Sequence, residues 1–429
     1  MNIFGWDTVC ALTIETANSA LKRSAGHLVT EFKYTGHSFS TDFDLHGVFG
    51  AWQIVPGGSG SLLRLALPFA TGAVVPAGAA GVDLSGCTAV LDIALELLPA
   101  PGGGATHLVF ALHGAQEQGA AARPGTVTPV HLDGPAELLG RLGAIGQGLV
   151  LNGVAAALAA HADQVSFVFA SLDPIGAAAD AWLAPVRSAF LYLETGGGRG
   201  WLTVLSTTTD RDTGRLQHTV DPELLAAGPQ LALAVSPELF LRNLIAPGLP
   251  QVFGGSADPG CFGLDPNGPA ITAAHAFSVR SVKEGAIWYT PRVTQLRIGV
   301  VGGALAVSIS GDCDLKAGIT MSWWSTSQHT VRFDPAGQRL VVDGDPNARS
   351  GHSASIPWWF WGGGLIVEGI TQAVVAVIAE DLGSALDSRM GSVGLGALPA
   401  RSVHWLDSAG SAVTTAHLNG ALVLGGTLS

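Results

Sequence analysis

Polar and apolar residues alternate along several short segments of the chain, and this alternation predicts β-strands. In Phe39–Leu45 the apolar side chains fall mostly at odd positions and the polar ones at even positions, and Leu91–Leu97 repeats the pattern. Leu63–Leu67 and His107–His113 follow it as well. Successive side chains of a strand point to opposite faces of the sheet, so each strand should have one face on an apolar layer and the other in water.

The same alternation returns in the second half of the chain. Glycine and Asp-Pro turns divide residues 287–345 into an antiparallel meander, with hairpin turns at Gly302-Gly303 and Asp334–Gly337. Further strands are predicted at Val165–Phe169, Ala189–Leu193, Trp201–Ser206, Ser402–Leu406, Val413–His417 and Ala421–Leu424.

Longer segments have the periodicity and composition of helices. Apolar residues recur on one helical face within Thr8–Ser24, and Glu137–Ala160 is rich in Leu and Ala and poor in charge. The most apolar helix is predicted at Leu365–Met390, because its Ala373–Ala379 portion is apolar on every side and must be surrounded by other parts of the protein. At a rise of 1.5 Å per residue this helix would be about 39 Å long.

A shorter helix is predicted at Pro237–Ile245. Ser236 precedes it as the N-cap, and proline suits the first helical turn because its missing N–H is not needed there. Pro247 and Pro250 are expected to end the helix, and the Gly/Pro-rich residues 246–275 are predicted to form a loop.

The order of these elements indicates an α+β fold. Helices are too few, and strands too consecutive, for a doubly wound α/β sheet. We predict an elongated body in which strongly curved antiparallel β-sheets wrap around long apolar helices. The length suggests two lobes, an N-terminal one over residues 1–230 and a C-terminal one over residues 231–429.

Composition and charge exclude several classes of protein. Charged residues make up 13% of the chain, hydrophobic residues 48%, and the mean hydropathy is +0.38, so the chain can bury enough surface to fold. A net charge of −12 without a basic stretch argues against a nucleic-acid partner. The chain begins without a signal-peptide pattern, and Asn152 and Glu368 interrupt its most apolar runs. We therefore expect a cytoplasmic protein without a transmembrane segment.

A sheet rolled around an apolar helix would leave a tube lined by aliphatic and aromatic side chains. Such a tube suits a long apolar molecule, because burial contributes about 0.8 kcal/mol per methylene group. The aromatic run before the predicted 365–390 helix is either core packing or a gate at the mouth of the tube. The predicted ligand-binding residues are Val374, Val377, Ile378, Trp358, Trp359, Trp361, Trp323, Phe43 and Leu95.

Sequence motifs for catalysis are sparse. Nucleotide-binding and metal-ligand patterns are missing, so we predict no cofactor and no metal site. The four cysteines lie far apart and are expected to be small buried side chains. An enzyme would need polar groups deep in the tube, and the candidates are Asp312, Asp314, His275 and His329.

Several short segments are similar to those of a known bacterial family. They are Phe4–Val9 leading to Thr16–Leu21, Trp52–Gly60 followed by Leu65–Pro68, and Ser236–Asn243. These segments resemble the clostridial P-47 family, whose members are accessory proteins of neurotoxin gene clusters. The resemblance implies the tubular lipid-binding (TULIP) architecture, in which a curved sheet wraps a long helix, and hence a lipid or similar hydrophobic small molecule as ligand.

Two alternative functions remain open. The chain could be an enzyme of hydrophobic natural-product biosynthesis, such as a cyclase, an isomerase or a hydrolase that works inside the same tube. It could also be a structural subunit of a toxin-like complex, with protein partners from the same gene cluster. An internal void would favour binding or catalysis over a purely structural role.

Overall fold

The computed structural model describes residues 1–354 apart from 102, 122, 173–180, 196–198, 285 and 316–319, and it also describes residues 368–369, 372–373, 395, 398–408 and 410–429. Strands dominate this part of the chain. The predicted α+β class is confirmed as a mostly-β fold, with a curled half-barrel sheet and one long buried helix. Of the predicted 365–390 helix, residues 368–369 and 372–373 are helical, and the rest lies outside the described residues.

The strands are spread along the whole chain. They are β1 Thr8–Thr13, β2 Glu31–Ser38, β3 Thr41–Phe49, β4 Gln53–Ser59, β5 Leu62–Pro76, β6 Val82–Asp83, β7 Thr88–Pro99, β8 Thr106–Ala111, β9 Gly114–Ala115, β10 Thr126–Asp133, β11 Val168–Leu172, β12 Arg187–Glu194, β13 Gly200–Thr207, β14 Leu231–Val235, β15 Phe262–Leu264, β16 Ala270–Ala273, β17 Phe277–Ser278, β18 Val282–Glu284, β19 Ile287–Tyr289, β20 Arg292–Val301, β21 Ala304–Asp314, β22 Thr320–Asp334, β23 Arg339–Val342, β24 Arg349–Ala354, β25 His404–Trp405, β26 Ser411–Leu418 and β27 Leu422–Leu428.

The helices differ widely in length. The α-helices are α1 Ile14–Arg23, α2 Ala136–Ala160, α3 Pro222–Leu225, α4 Pro237–Phe240, α5 Leu249–Phe253 and α6 Leu398–Ser402. Short 3₁₀ segments are Ala25–His27, Ala162–Gln164, Ala181–Leu183, Ala246–Gly248 and Pro259–Cys261, and Leu241–Ile245 is a π-helical turn.

Among the described residues the strands pair into three large sheets and the ribbon β18–β19. The six-stranded sheet has the order β12-β13-β1-β14-β27-β26. The eleven-stranded sheet follows β2-β3-β5-β7-β8-β11-β25, with β4 and β6 paired to β5, and β10 paired to β7 and β9. The eight-stranded sheet follows β15-β16-β20-β21-β22-β23, with β17 beside β20 and β24 beside β22. Neighbouring strands are antiparallel, apart from the short parallel pair β9–β10.

The eleven-stranded sheet and α2 form what we call the N-terminal half-barrel. Helix α2 contacts β2, β3, β5, β7, β9 and β10, so strands from across the sheet meet one helix. A Cβ atom on Gly153 would lie 2.8 Å from the Leu45 side chain and 2.9 Å from that of Phe43, so any larger residue would force these side chains to shift. The helix predicted at Glu137–Ala160 is thereby confirmed, and the sheet packs directly against it.

Asn152 is a polar side chain in the buried part of α2, and its hydrogen bonds are satisfied inside the protein. Its Oδ1 accepts the backbone N–H of Gln118 at 2.8 Å, and its Nδ2 donates to Ser38 Oγ at 3.0 Å. A buried amide is tolerated when both of its ends are bonded in this way. The protein itself therefore satisfies the hydrogen-bonding groups of Asn152, and no ligand is needed to do so.

The prediction that the chain has no transmembrane segment must be compared with the composition of α2. Within the described chain it is the one helix with the length and composition of a span, with a mean hydropathy of 1.6 over its most apolar window. Of that window, 56% is buried inside the protein. A buried core helix has the same composition, so this match is weak evidence for a membrane span.

The helix predicted over Thr8–Ser24 is wrong in its first third. Thr8–Thr13 form β1, which pairs with both β13 and β14, and the helix α1 begins only at Ile14. All six residues of β1 are buried, so the strand has no polar face to produce an alternating pattern. Thr13 ends the strand and caps α1, since its side chain accepts the N–H of Thr16 at 3.4 Å.

The region after Ser236 is more ordered than predicted. The predicted helix start is confirmed, because Ser236 Oγ accepts the N–H of Leu239 at 3.2 Å. The two prolines do not end the helical region as predicted. Pro247 and Pro250 lie instead in the first turns of Ala246–Gly248 and α5, where a missing N–H costs nothing. The predicted loop 246–275 therefore contains helical turns and the hairpin β15–β16.

The predicted C-terminal meander is confirmed, while other strand boundaries differ. Strands β20 to β23 pair in sequence, and the turn at Gly302 has the positive φ of 57° that glycine allows. The strand predicted at Val165–Phe169 is Val168–Leu172, and of Ser402–Leu406 only His404–Trp405 is a strand.

The six-stranded sheet combines the beginning, the middle and the end of the chain. Strands β1, β12 and β13 precede residue 230, whereas β14, β26 and β27 follow it. The division into lobes at residue 230 stays a prediction.

Candidate functional site

The eight-stranded sheet has one buried face, which we call the inner face. Strands β21 and β22 alternate between buried and more exposed positions, so every second side chain points to this face. Strand β20 contributes to it as well, with a bulge between Val293 and Gln295. Antiparallel register places side chains of adjacent strands directly opposite each other. The large apolar residues of the inner face are Val293, Leu296, Ile298, Leu305, Val307, Ile309, Met321, Trp323 and Val331.

Three polar residues interrupt the inner face along β22. Ser325 lies opposite Ile309, Ser327 opposite Val307, and His329 opposite Leu305. We call Ser325, Ser327 and His329 the polar track. Each of its three residues lies opposite an apolar side chain of β21. The inner face therefore carries both apolar side chains and hydrogen-bonding groups.

His329, a predicted catalytic candidate, belongs to this track and is fully buried. Its Nε2 lies 2.9 Å from Ser327 Oγ. Burial lowers the pKa of His329 below its ordinary value, although the Asp343 backbone and the negative charge of Asp345 partly oppose this. A neutral imidazole at this place can accept a proton or a hydrogen bond from the serine.

Sequence reasoning had singled out His329 but missed Ser327. The sequence does indicate that Ser327 and His329 are neighbours, since two residues at positions i and i+2 of an alternating strand share one face. The pairing was overlooked because a hydrogen bond between them also depends on their side-chain rotamers, which the sequence does not fix.

Trp323, one of the predicted ligand-binding residues, lies on β22. It is buried on the inner face, and its indole Nε1 donates to the backbone carbonyl of Asp312 at 3.2 Å. Its neighbour Trp324 is exposed, because adjacent side chains of a strand point to opposite faces.

Among the described residues, two other predicted ligand-binding residues lie on a different sheet from Trp323. Phe43 and Leu95 are buried in the N-terminal half-barrel, on β3 and β7, and the Phe43 ring packs against Gly153 of α2. The remaining predicted ligand-binding residues lie outside the described residues; they are Val374, Val377, Ile378, Trp358, Trp359 and Trp361.

The catalytic candidates Asp312 and Asp314 share a strand face, but that face is the outer one. The buried residue between them is Cys313, which points to the inner face, and Asp314 is exposed. Two carboxylates on the outer surface cannot serve a reaction on the inner face of the same sheet.

His275, the fourth catalytic candidate, lies in a different place, beside Cys261 and Asp258. Its Nε2 is 3.4 Å from Cys261 Sγ, and the Asp258 Oδ1 is 3.8 Å from the same sulfur. Cys261 is buried, whereas His275 and Asp258 are exposed. Sequence reasoning missed this cluster because it treated residues 246–275 as an irregular loop.

The surface grooves of the described chain are open rather than tubular. A groove of about 1040 Å³ runs over Phe32, His46 and Gly72 on the half-barrel. Another of about 810 Å³ lies on the eight-stranded sheet between Arg297 and Arg349. Both mix charged and apolar side chains, and this mixed lining does not match the purely apolar tube that the sequence analysis predicted.

Solved structures match this architecture from end to end. The structure of P47 from Clostridium botulinum A2 has a TM-score of 0.82 and 21% sequence identity, with 100% of this chain and 98% of that chain covered. The crystal structure of P47 of Clostridium botulinum E1 gives a TM-score of 0.77 and 19% identity over 99% and 100% of the two chains. An alignment with a lipopolysaccharide binding protein has a TM-score of only 0.28, too low to show a shared fold.

Sequence comparison identifies the family. The family described as OrfX-like, Protein OrfX2/OrfX3/P47, matches residues 3–404. Protein P47 of Clostridium botulinum (strain Kyoto / Type A2) is 27% identical over 247 residues, which cover 57% of this chain and 56% of that relative. The aligned part thus spans little more than half the length of the curated relative. The chain belongs to the OrfX/P47 family, and the resemblance to P-47 proteins noted in the sequence is confirmed.

Proposed function

We propose that this protein binds a lipid or another long hydrophobic molecule, with the apolar part of the ligand against the inner face of the eight-stranded sheet. One observation carries the proposal: the polar track of β22 runs directly beside Leu305, Val307 and Ile309. A ligand with an apolar chain and a polar group could contact both kinds of surface at once.

The energetics of such a contact favour an amphipathic ligand. Each buried methylene group contributes about 0.8 kcal/mol, so a long acyl or isoprenoid chain supplies most of the affinity. A hydroxyl or carbonyl of the ligand would be costly to bury unless a hydrogen bond meets it. Ser325 and the Ser327–His329 pair can provide such bonds and thereby fix the position of the chain.

The direct experiment is to extract the purified protein with organic solvent and analyse the extract by mass spectrometry. We expect a hydrophobic molecule at close to one equivalent per chain. Native mass spectrometry of the same preparation should show the matching mass increase. Protein that is consistently empty, and that takes up no fluorescent fatty acid or phospholipid analogue, would overturn the proposal.

Two adjacent residues of β21 provide a matched test of the site. Val307 faces inward and is buried, whereas Ser308 is exposed on the outer face. Val307→Trp should reduce uptake of a fluorescent fatty acid about tenfold or more, because the indole fills the inner face, and Ser308→Trp should leave it unchanged. Circular dichroism and the unfolding midpoint identify a variant that fails to fold, in which case the smaller Val307→Phe takes its place. Equal uptake by both variants would refute this location.

The enzyme alternative now has a specific form, because Ser327 and His329 are arranged as a nucleophile and a base. A hydrolase of this kind would release p-nitrophenol from long-chain p-nitrophenyl esters and would lose this activity in Ser327→Ala. A rate equal to that of buffer in the folded wild-type protein would exclude this alternative.

A structural role in a complex of several proteins is the remaining alternative. It would require stable association with proteins encoded by neighbouring genes, which size-exclusion chromatography of the mixed proteins would detect. Co-elution together with an empty, ligand-free protein would favour this role over ligand binding. We propose a cytoplasmic location for either role, and fractionation of the producing cells tests it.

A further inference from the structure

Asp258, Cys261 and His275 are brought together by two pieces of local structure. Asp258 is the N-cap of the turn Pro259–Cys261, where its Oδ1 accepts the N–H of Gly260 at 2.7 Å. Cys261 leads into β15, and pairing of β15 with β16 brings the chain back so that Ala274 donates its N–H to the Cys261 carbonyl at 2.8 Å. His275 follows directly, and its imidazole reaches the cysteine sulfur.

The three side chains offer one donor atom each, and all three atoms lie within 4.8 Å of one another. The sulfur is 3.4 Å from His275 Nε2 and 3.8 Å from Asp258 Oδ1. Tetrahedral zinc, with Zn–S of about 2.3 Å and Zn–N or Zn–O of about 2.0–2.1 Å, separates its ligand atoms by about 3.3–3.6 Å. The two separations from the sulfur differ from these values by only a few tenths of an ångström, and the separation between His275 and Asp258 is at most 4.8 Å.

From this geometry we infer that Asp258, Cys261 and His275 form a binding site for Zn²⁺. Thiolate, imidazole and carboxylate together suit zinc, whereas calcium and magnesium prefer oxygen ligands alone. This inference reverses the prediction of no metal site. The spacing of three and fourteen residues matches no familiar motif, and only the β15–β16 pairing brings the ligands together.

The surrounding hydrogen bonds hold two of the ligands in place. The N–H of Gly260 fixes the carboxylate of Asp258, and the N–H of Asp258 points at Cys261 Sγ at 3.4 Å. Donors of this kind stabilise and orient the negatively charged ligands of a metal ion. They also stabilise the turn, so the turn is built whether or not an ion is bound.

A thiol nucleophile is a poorer description of the same residues. A catalytic cysteine needs an imidazole base that a third group orients. Here the carboxylate contacts the sulfur, where its charge would repel a thiolate that lacks a cation. A divalent cation between the three atoms removes this repulsion. Because His275 and Asp258 are exposed, the fourth position of the ion faces solvent and would hold water, as in zinc sites with three protein ligands.

Titration of the full-length protein with Co²⁺ tests the site, because cobalt replaces zinc and reports its ligands by absorption. We expect one equivalent of Co²⁺ to give a sulfur-to-cobalt charge-transfer band and d–d bands of tetrahedral intensity. One equivalent of Zn²⁺ should abolish these bands by competition. Protein that shows no charge-transfer band, or only octahedral cobalt, would overturn the inference.

Matched variants locate the ion. His275→Ala and Asp258→Asn should each weaken Zn²⁺ binding about tenfold or more, and the asparagine keeps the capping acceptor. The controls are His417→Ala, at another exposed histidine, and Cys313→Ser, at another buried cysteine; both should bind Zn²⁺ like the wild type. Because His275 is exposed, its variant should fold even if Cys261→Ser does not. Unchanged Zn²⁺ affinity in His275→Ala would overturn the site.

Discussion

The N-terminal half-barrel and the eight-stranded sheet bury their apolar faces in different ways. In the half-barrel, α2 packs closely against β3, since a Cβ atom at position 153 would displace the side chains of Leu45 and Phe43. Its polar residue Asn152 is hydrogen-bonded at both ends within the protein. In the eight-stranded sheet, two serines and a histidine form a polar track beside apolar neighbours.

This difference separates a core from a candidate binding surface. A helix that fills a curled sheet gains stability from close packing and leaves little room for a ligand. A polar track on a buried face adds little to packing, but it provides hydrogen-bonding groups in an apolar environment, where they discriminate between ligands. The proposed ligand site is therefore assigned to the eight-stranded sheet and not to the half-barrel.

The largest effect should come from removing a side chain at the centre of α2. Leu151→Ala leaves a cavity where the leucine is fully buried, and it should lower the free energy of unfolding by about 2–5 kcal/mol in urea titrations. Ile145→Ala is the control on the same helix, because this side chain is 62% exposed and its removal should change stability by less than about 0.5 kcal/mol. Equal losses would mean that the half-barrel is not tightly filled by α2.

A methyl group added to the inner face should have the next largest effect. At Gly311 a Cβ atom would overlap the carbonyl oxygen of Arg292 and lie 2.9 Å from the Trp323 ring. Because a backbone carbonyl cannot rotate away as a side chain can, Gly311→Ala should cost about 3 kcal/mol. Gly263→Ala in β15 has open space around it and should be neutral or slightly stabilising by the same urea titration. A harmless Gly311→Ala would show that this sheet is loosely packed.

Removal of the bonded amide in the half-barrel should cost somewhat less. Asn152→Ala leaves the N–H of Gln118 and the hydroxyl of Ser38 without their partner, and it should destabilise the protein by about 2 kcal/mol. Gln147→Ala, which removes one bond to the Leu139 carbonyl from a partly buried side chain, is the milder comparison. If Asn152→Ala proved neutral or stabilising, the amide would not be a structural part of the half-barrel.

The smallest effect should appear in the pH dependence of stability. The pKa of His329 lies below its ordinary value of 6.5 in the folded protein, so the unfolded chain takes up a proton first as the pH falls. The stability that a neutral His329 contributes is fully present above about pH 6.5 and decreases as the pH falls below that value.

Urea titrations at pH 7.5 and pH 5.5 measure this effect. The wild type should lose more stability between the two pH values than His329→Gln, which has no group to titrate at this position. Asp345, whose charge acts on His329, remains in both proteins, and because its pKa lies below the ordinary 3.8 it stays ionised at both pH values. An identical loss in both proteins would show that folding does not lower the pKa of His329.

The sequence predicted those elements whose pattern arises from local periodicity. Helix α2 and the strands β3, β5 and β7 were recognised because their apolar residues repeat with the helical or the strand period. The N-cap Ser236 was recognised because capping is a contact between residues three positions apart. Strand β1 was misread as a helix, because a strand that is buried on both faces has no alternation.

The candidate sites were only partly accessible from the sequence. His329 and His275 were named as the polar groups that an enzyme would need, but their partners Ser327 and Cys261 were not identified. That Ser327 and His329 share one face follows from strand geometry and could have been inferred, whereas their hydrogen bond also depends on side-chain rotamers. The Cys261–His275 contact depends on the pairing of β15 with β16, in a region that was predicted to be a loop.

By itself the sequence determined the fold class, the apolar character of the interior and the family resemblance. These properties follow from periodicity, composition and short segments of local similarity, which are readable one residue after another. The tertiary structure alone decided which apolar face is filled by a helix, which face has a polar track, and which donor atoms meet. Such contacts join residues far apart in the chain, and the closing of the intervening loops and the register of the strands determine them.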